Sequence, residues 1–145
     1  GKNTWALRLI HYYWGRMVKA GATSWWELFD PDNPALQKRM CSQCCGNGTS
    51  PNGFLITELV GIRPAEPGMY MVYFNPMPGD VTWVKAHIPT PNGYIYVDWN
   101  IRPDGVFAAS ISANYPLEVI PILNPAIAET AVITVSEKVA ILAQE

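Results

Sequence analysis

Residues 21–33 read GATSWWELFDPDN and set one glutamate, Glu27, directly behind two tryptophans, Trp25 and Trp26. On a surface helix a glutamate would sit among lysines and other polar residues. A carboxylate beside this much aromatic surface has two uses. It caps local backbone amides, or it works as an acid or base where indole rings exclude water. Asp30 and Asp32, beside Pro31 and Pro34, have turn and cap chemistry instead.

The cysteines Cys41, Cys44 and Cys45 crowd into one loop. The adjacent pair Cys44-Cys45 strains a tetrahedral site, and His11 and His87 are distant in sequence, so free, partly buried thiols are expected and no metal. An odd, clustered set also argues against a disulfide framework and leaves the compartment open. His11 stands within an apolar helical stretch and reads as a satisfied core histidine. His87 has no serine or carboxylate close in sequence to complete a triad. Glu58 sits mid-helix and reads as solvated. Nothing in the chain asks for a cofactor.

These residues must be positioned by two kinds of element. In the first third, Leu7, Ile10, Trp14, Met17 and Val18 recur at helical spacing and form one apolar stripe. Leu9 and Tyr13 mark a second face, so burial on more than one side is expected. Asn3 or Thr4 can cap this helix and Gly21 can stop it. A short helix is expected from Asn33-Pro34, and another over residues 51–60 with Ser50 as cap and Gly61 as terminator. After the stiff, proline-rich GIRPAEPG the pattern changes to short strand-like runs: MYMVYFN, VTWVKAHI, GYIYVDWN, GVFAASISA, LEVIPIL, AVITV and KVAILA. Turn residues such as Pro91-Asn92-Gly93, Pro103-Asp104-Gly105 and Asn124-Pro125 separate them. In one run Tyr94, Tyr96 and Asp98 alternate with Ile95, Val97 and Trp99, the mark of a half-buried antiparallel strand. The expected fold class is α+β: a short N-terminal helical segment over residues 1–65, then an antiparallel β-sandwich over residues 66–145.

Composition excludes several classes of function. The 145-residue chain is 49% hydrophobic and only 15% charged, which rules out a disordered protein. A net charge of −2 leaves no basic stripe for nucleic acid. No apolar run is long enough for a bilayer span and no signal peptide opens the chain. The abrupt helical start suggests a piece of a longer protein.

The stretches WGRMVKAGATSWWELFD and GFLITELVGIRPAEPGMYMVYFNPMPGDVTWVKAHIPTPNGYIYVDW together resemble the C-terminal end of bacterial and fungal α-L-rhamnosidases of glycoside hydrolase family 78. The shared pattern is a helix ending in Gly-Ala-Thr, a Trp-Glu pair, a helix leading into Gly-Ile-x-Pro, and a PTPxGxIxVxW strand. The resemblance implies that residues up to about 65 are the last helices of an (α/α)6 barrel and that the remainder is an appended β-sandwich. It also implies that Glu27 is the general base of an inverting hydrolase, activating water against a terminal α-L-rhamnosyl unit, with a second carboxyl group supplied from elsewhere. Trp25 or Trp26, both expected at the substrate, would then stack on the apolar face of a deoxy sugar. Where the family carries a sugar-facing histidine, this chain has Cys45, and a thiol lacks the donor–acceptor pair of an imidazole. On this reading the partner is a rhamnosylated glycan or glycoside, not nucleic acid or membrane, and the chain alone is inactive. Exposed helical faces would favour self-association. The alternative is a non-catalytic carbohydrate-binding or scaffolding sandwich module, with Trp83 and Trp99 either as a sugar platform or as core residues.

Overall fold

The computed structural model describes residues 2–33 and 42–143. Its contacts divide the chain into two compact units, residues 1–54 and residues 55–145.

The first unit begins with a helical run: α1 (Lys2–Ile10), a π-helical turn (His11–Gly15) and α2 (Arg16–Lys19). Asn3 and Thr4, expected as caps, lie inside α1, which is already formed at Lys2. The expected stop at Gly21 is present. Gly21 donates its N–H to the Val18 carbonyl at 2.9 Å and Ala22 donates to Met17 at 3.1 Å, the paired bonds of a Schellman ending. Of the apolar stripe Met17 is buried, Leu7, Ile10 and Trp14 are half-buried, and Val18 is exposed. Leu9 and Tyr13, expected on a second buried face, are exposed, because the described residues of this unit cover the helix on one side only. His11 is exposed as well, not a core histidine.

The helix expected from Asn33-Pro34 falls on residues 34–41, outside the described residues. The next helical stretch starts earlier than the sequence suggests, with a 3-10 turn (Gly46–Thr49) before α3 (Ser50–Phe54). Ser50 is therefore interior, and the extended residue before the turn is Cys45.

The second unit opens with a π-helical segment (Leu55–Val60) that ends at Gly61. Gly61 has φ +88°, and a Cβ there would lie 2.3 Å from the Pro76 nitrogen, so only glycine fits. Two four-stranded sheets follow. One has the order β1 (Ile62–Pro64), β2 (Met71–Phe74), β6 (Leu117–Pro121), β8 (Val139–Ile141). The other runs β3 (Trp83–Thr90), β4 (Gly93–Ile101), β5 (Phe107–Ala113), β7 (Val132–Val135). All seven expected runs form strands. The additional one, β1, lies inside the proline-rich joint, at a sheet edge where a proline leaves no ladder bond unmade. The long β3–β4–β5 ladder is antiparallel, as alternation suggests, while β2–β6, β6–β8 and β5–β7 pair in parallel. Asn124-Pro125, expected as a turn, starts a short helix, α4 (Pro125–Ala128), with the Asn124 side chain accepting from the Ala126 N–H at 2.9 Å.

The core lies between the sheets. Val72, Phe74, Leu117 and Val119 from one meet Ile95, Val97, Trp99, Phe107 and Ile111 from the other. Phe107 joins the layers, with its ring 6.5 Å from Phe74 and 5.6 Å from Trp99. Burying each such side chain contributes about 1.5–3 kcal/mol. This is an α+β chain whose sheets form a β-sandwich.

Candidate functional site

The residues around Glu27 are assembled within the first unit. The Schellman ending at Gly21 turns the chain back along the helix, and the Trp26 N–H donates to Met17 Sδ at 3.3 Å. Trp26 is buried and sets its ring edge-on to Phe29 at 5.7 Å. Farther along, Asp32 accepts from Arg16 at 3.2 Å and from the Tyr12 hydroxyl at 3.3 Å, with the Arg16 guanidinium 4.2 Å above the Tyr12 ring. Asp30 accepts from the Asp32 N–H at 2.9 Å, the turn role expected of it.

A second segment, residues 42–45, runs antiparallel to residues 24–27. Cys45 donates its N–H to the Trp25 carbonyl at 2.8 Å, and Glu27 donates its N–H to the Ser42 carbonyl at 2.9 Å. The Ser24 hydroxyl donates to the Gln43 carbonyl. In return the Ser42 N–H donates to Glu27 Oε2 at 3.2 Å, so one carboxylate oxygen is held by backbone while the side chain stays exposed. Gly48 closes the strap. A Cβ on it would fall 2.7 Å from Trp25 Cβ, and its carbonyl accepts from Trp14 Nε1 at 2.8 Å. Trp25, Trp26, Glu27 and Cys45 are thereby brought into one cluster, with Trp25 and Cys45 half-buried. A carboxylate tethered by one oxygen keeps lone pairs on the other for a proton or a water.

Cys44 and Cys45 are free thiols, and Cys41 lies outside the described residues. Among the described residues no three His, Cys, Asp or Glu side chains gather as metal ligands, and no helix is long and apolar enough to cross a membrane.

Other candidates land elsewhere. Trp99 is fully buried against Phe107, so it is a core residue and cannot stack on a sugar; among the described residues its Nε1 meets no hydrogen-bond partner. Trp83, at the start of β3, is 64% exposed. Glu58 is not solvated. It is half-buried and paired with Arg63 at 2.5 Å, because the chain folds back from the π-helical segment into β1. Sequence reasoning weighs His87 only against a triad and Tyr96 only as a phase marker; it does not gather the outward residues of β3, β4 and β5, Ser110 among them, into one group. Their signal was the same alternation that identified the inward core, read on its other phase.

A family model described as the bacterial α-L-rhamnosidase C-terminal domain matches residues 61–120. Among solved structures the chain is similar to a GH78 family rhamnosidase of Bacillus sp. GL1, with a TM-score of 0.79 and 27% sequence identity. The similarity covers 97% of this chain and 15% of that one, so the chain spans a small part of its relative's length. No curated protein matches it by sequence.

Proposed function

We propose, from a chain similar to the C-terminal part of family 78 rhamnosidases, that its first unit supplies the general base of an inverting glycoside hydrolase. Glu27 would take a proton from the water that attacks the anomeric carbon of a terminal α-L-rhamnosyl unit. The acid partner would come from residues beyond this chain, placed about 6.5–9.5 Å away so that the water fits between them. Residues 1–65 would belong to the end of a helical barrel and residues 66–145 to its appended sandwich. The rhamnosylated glycoside is the partner, and the exposed helical face is a surface for self-association.

The observation that carries this reading is the strap between residues 24–27 and 42–45. It joins a backbone-held carboxylate to the half-buried Trp25 and to Cys45, bound through its backbone N–H, with Trp26 buried. The 145-residue chain is expected to leave an aryl α-L-rhamnoside unhydrolysed, since a single carboxylate has no acid partner. Grafted in place of the corresponding segment of the Bacillus rhamnosidase, with folding checked by circular dichroism, it should support turnover. Glu27→Gln in that graft should then lower kcat by about 10²–10⁴-fold, the usual range for a general base. Hydrolysis by the pure chain, or a graft indifferent to Glu27→Gln, would refute the proposal.

A further inference from the structure

The outward face of the β3–β4–β5 sheet carries an open hollow of about 220 Å³. Its walls are six outward side chains brought into rows by the antiparallel register. Lys85 faces Asp98, which faces Ser110; His87 faces Tyr96, which faces Ser112. The inward partners of these rows are the sandwich core, so the strands beneath cannot shift without disturbing it.

The chemistry of the rows narrows what they can hold. Lys85 Nζ lies 3.0 Å from Asp98 Oδ2, so the strongest charges cancel locally and an anion finds no unpaired cation there. A metal finds only His87 and Asp98 as ordinary ligands, too few for a closed site. An apolar ligand would strip water from Lys85, Asp98 and two serines without replacing those hydrogen bonds. What remains is a ligand with one apolar face and many hydroxyls. The His87 and Tyr96 rings meet edge-on at 4.8 Å and form an aromatic wall. Tyr94, 48% exposed on the same face, continues it with its ring 6.3 Å from Tyr96. The ammonium keeps donors, the carboxylate keeps acceptor sites and the serine hydroxyls offer both, a set that answers adjacent sugar hydroxyls. The volume is below the roughly 300–1,000 Å³ of pockets for larger ligands, which suits a single ring.

We propose that this hollow is a binding site for one neutral pyranose unit, with Tyr96 and His87 against its C–H face and the Lys85–Asp98 pair and Ser110 on its hydroxyls. The site belongs to the second unit alone, so it stands or falls independently of Glu27.

The test is an NMR titration of amide resonances in the 145-residue chain with methyl α-L-rhamnopyranoside, methyl β-D-glucopyranoside and glucuronate. Expected are saturable shifts from at least one neutral glycoside, confined to residues 85–87, 96–98 and 110–112, with a Kd on the order of 1 mM. His87→Ala, an exposed position, and the isosteric Asp98→Asn should each weaken that binding about tenfold with unchanged thermal unfolding. The idea is overturned if neither neutral glycoside shifts these amides at about ten times that concentration. It is equally overturned if the shifts map elsewhere or survive both substitutions. Tighter binding of glucuronate that is lost on Lys85→Gln would identify an anion site and overturn the neutral assignment.

Discussion

The two units use their apolar residues in opposite ways. In the sandwich, Trp99, Phe107, Phe74 and Val119 are sealed between sheets, and the large apolar residues left outside lie on edge strands and turns, apart from Tyr94 on the inner strand β4. In the helical unit Met17 and Trp26 are buried, while Trp5 is 72% exposed, Leu28 60% and Leu9 55%. A sheet pair encloses a core from its own strands, because each strand turns one face inward and the opposing sheet covers it. A helix with apolar residues on several faces needs neighbours on each, and among the described residues the strap covers one. The sandwich therefore encloses its own apolar surface, while among the described residues the unit holding Glu27 leaves much of its apolar surface exposed.

That contrast can be broken most directly by cutting the chain. Residues 55–145 alone should unfold cooperatively in urea, followed by the fluorescence of Trp83 and Trp99, whereas residues 1–54 alone should show no cooperative transition, since short helices without packing are marginal in water. A sigmoidal transition in the helical piece would remove the asymmetry.

A smaller effect separates two tryptophans of the intact chain. Trp99→Ala should cost about 3–5 kcal/mol, the range for deleting a large buried aromatic. Trp5→Ala should cost at most about 1 kcal/mol, the range for an exposed cation–π pair, since the Arg8 guanidinium lies 5.6 Å from the centre of its ring. Equal shifts in the denaturation midpoint would contradict the burial assigned to each.

The smallest expected effect sharpens the picture of the strap. Gly48→Ala would press a methyl group against Trp25 Cβ and should loosen the pairing by about 1–2 kcal/mol. Hydrogen exchange at the Cys45 and Glu27 amides should then accelerate on the order of tenfold, with the β4 amides unaffected. Unchanged exchange at Cys45 would mean that Gly48 does not hold the strap closed.

The strands were legible because alternation is a local property. Ile95, Val97 and Trp99 face inward for the same reason that Tyr94, Tyr96 and Asp98 face outward, and no knowledge of the partner sheet is needed to see it. Pairing direction was not legible. β5 meets β7, and β6 meets both β2 and β8, in parallel through connections that the pattern within a strand does not encode. β1 was hidden because three residues ending in proline carry no measurable period. Helical residues misled in a different way: the periods placing Leu9, Tyr13 and His11 on apolar faces are real, but burial also requires something to cover those faces.

At the candidate site, the carboxylate beside two indoles could be read from adjacent letters. Gly21 and Gly61 could likewise be read as helix ends, because helix termination is written within a few residues of itself. Local covalent order thus dictated the helix ends, the strand phases and the Trp-Trp-Glu run. Folding alone joined Cys45 to Trp25 and Ser42 to Glu27, sank Trp99 into the core, and lined up Lys85, Asp98 and Ser110 across three strands. Each of those contacts links residues far apart in the chain, and such contacts form only when burial across the whole unit offsets the entropy of closing the loops between them.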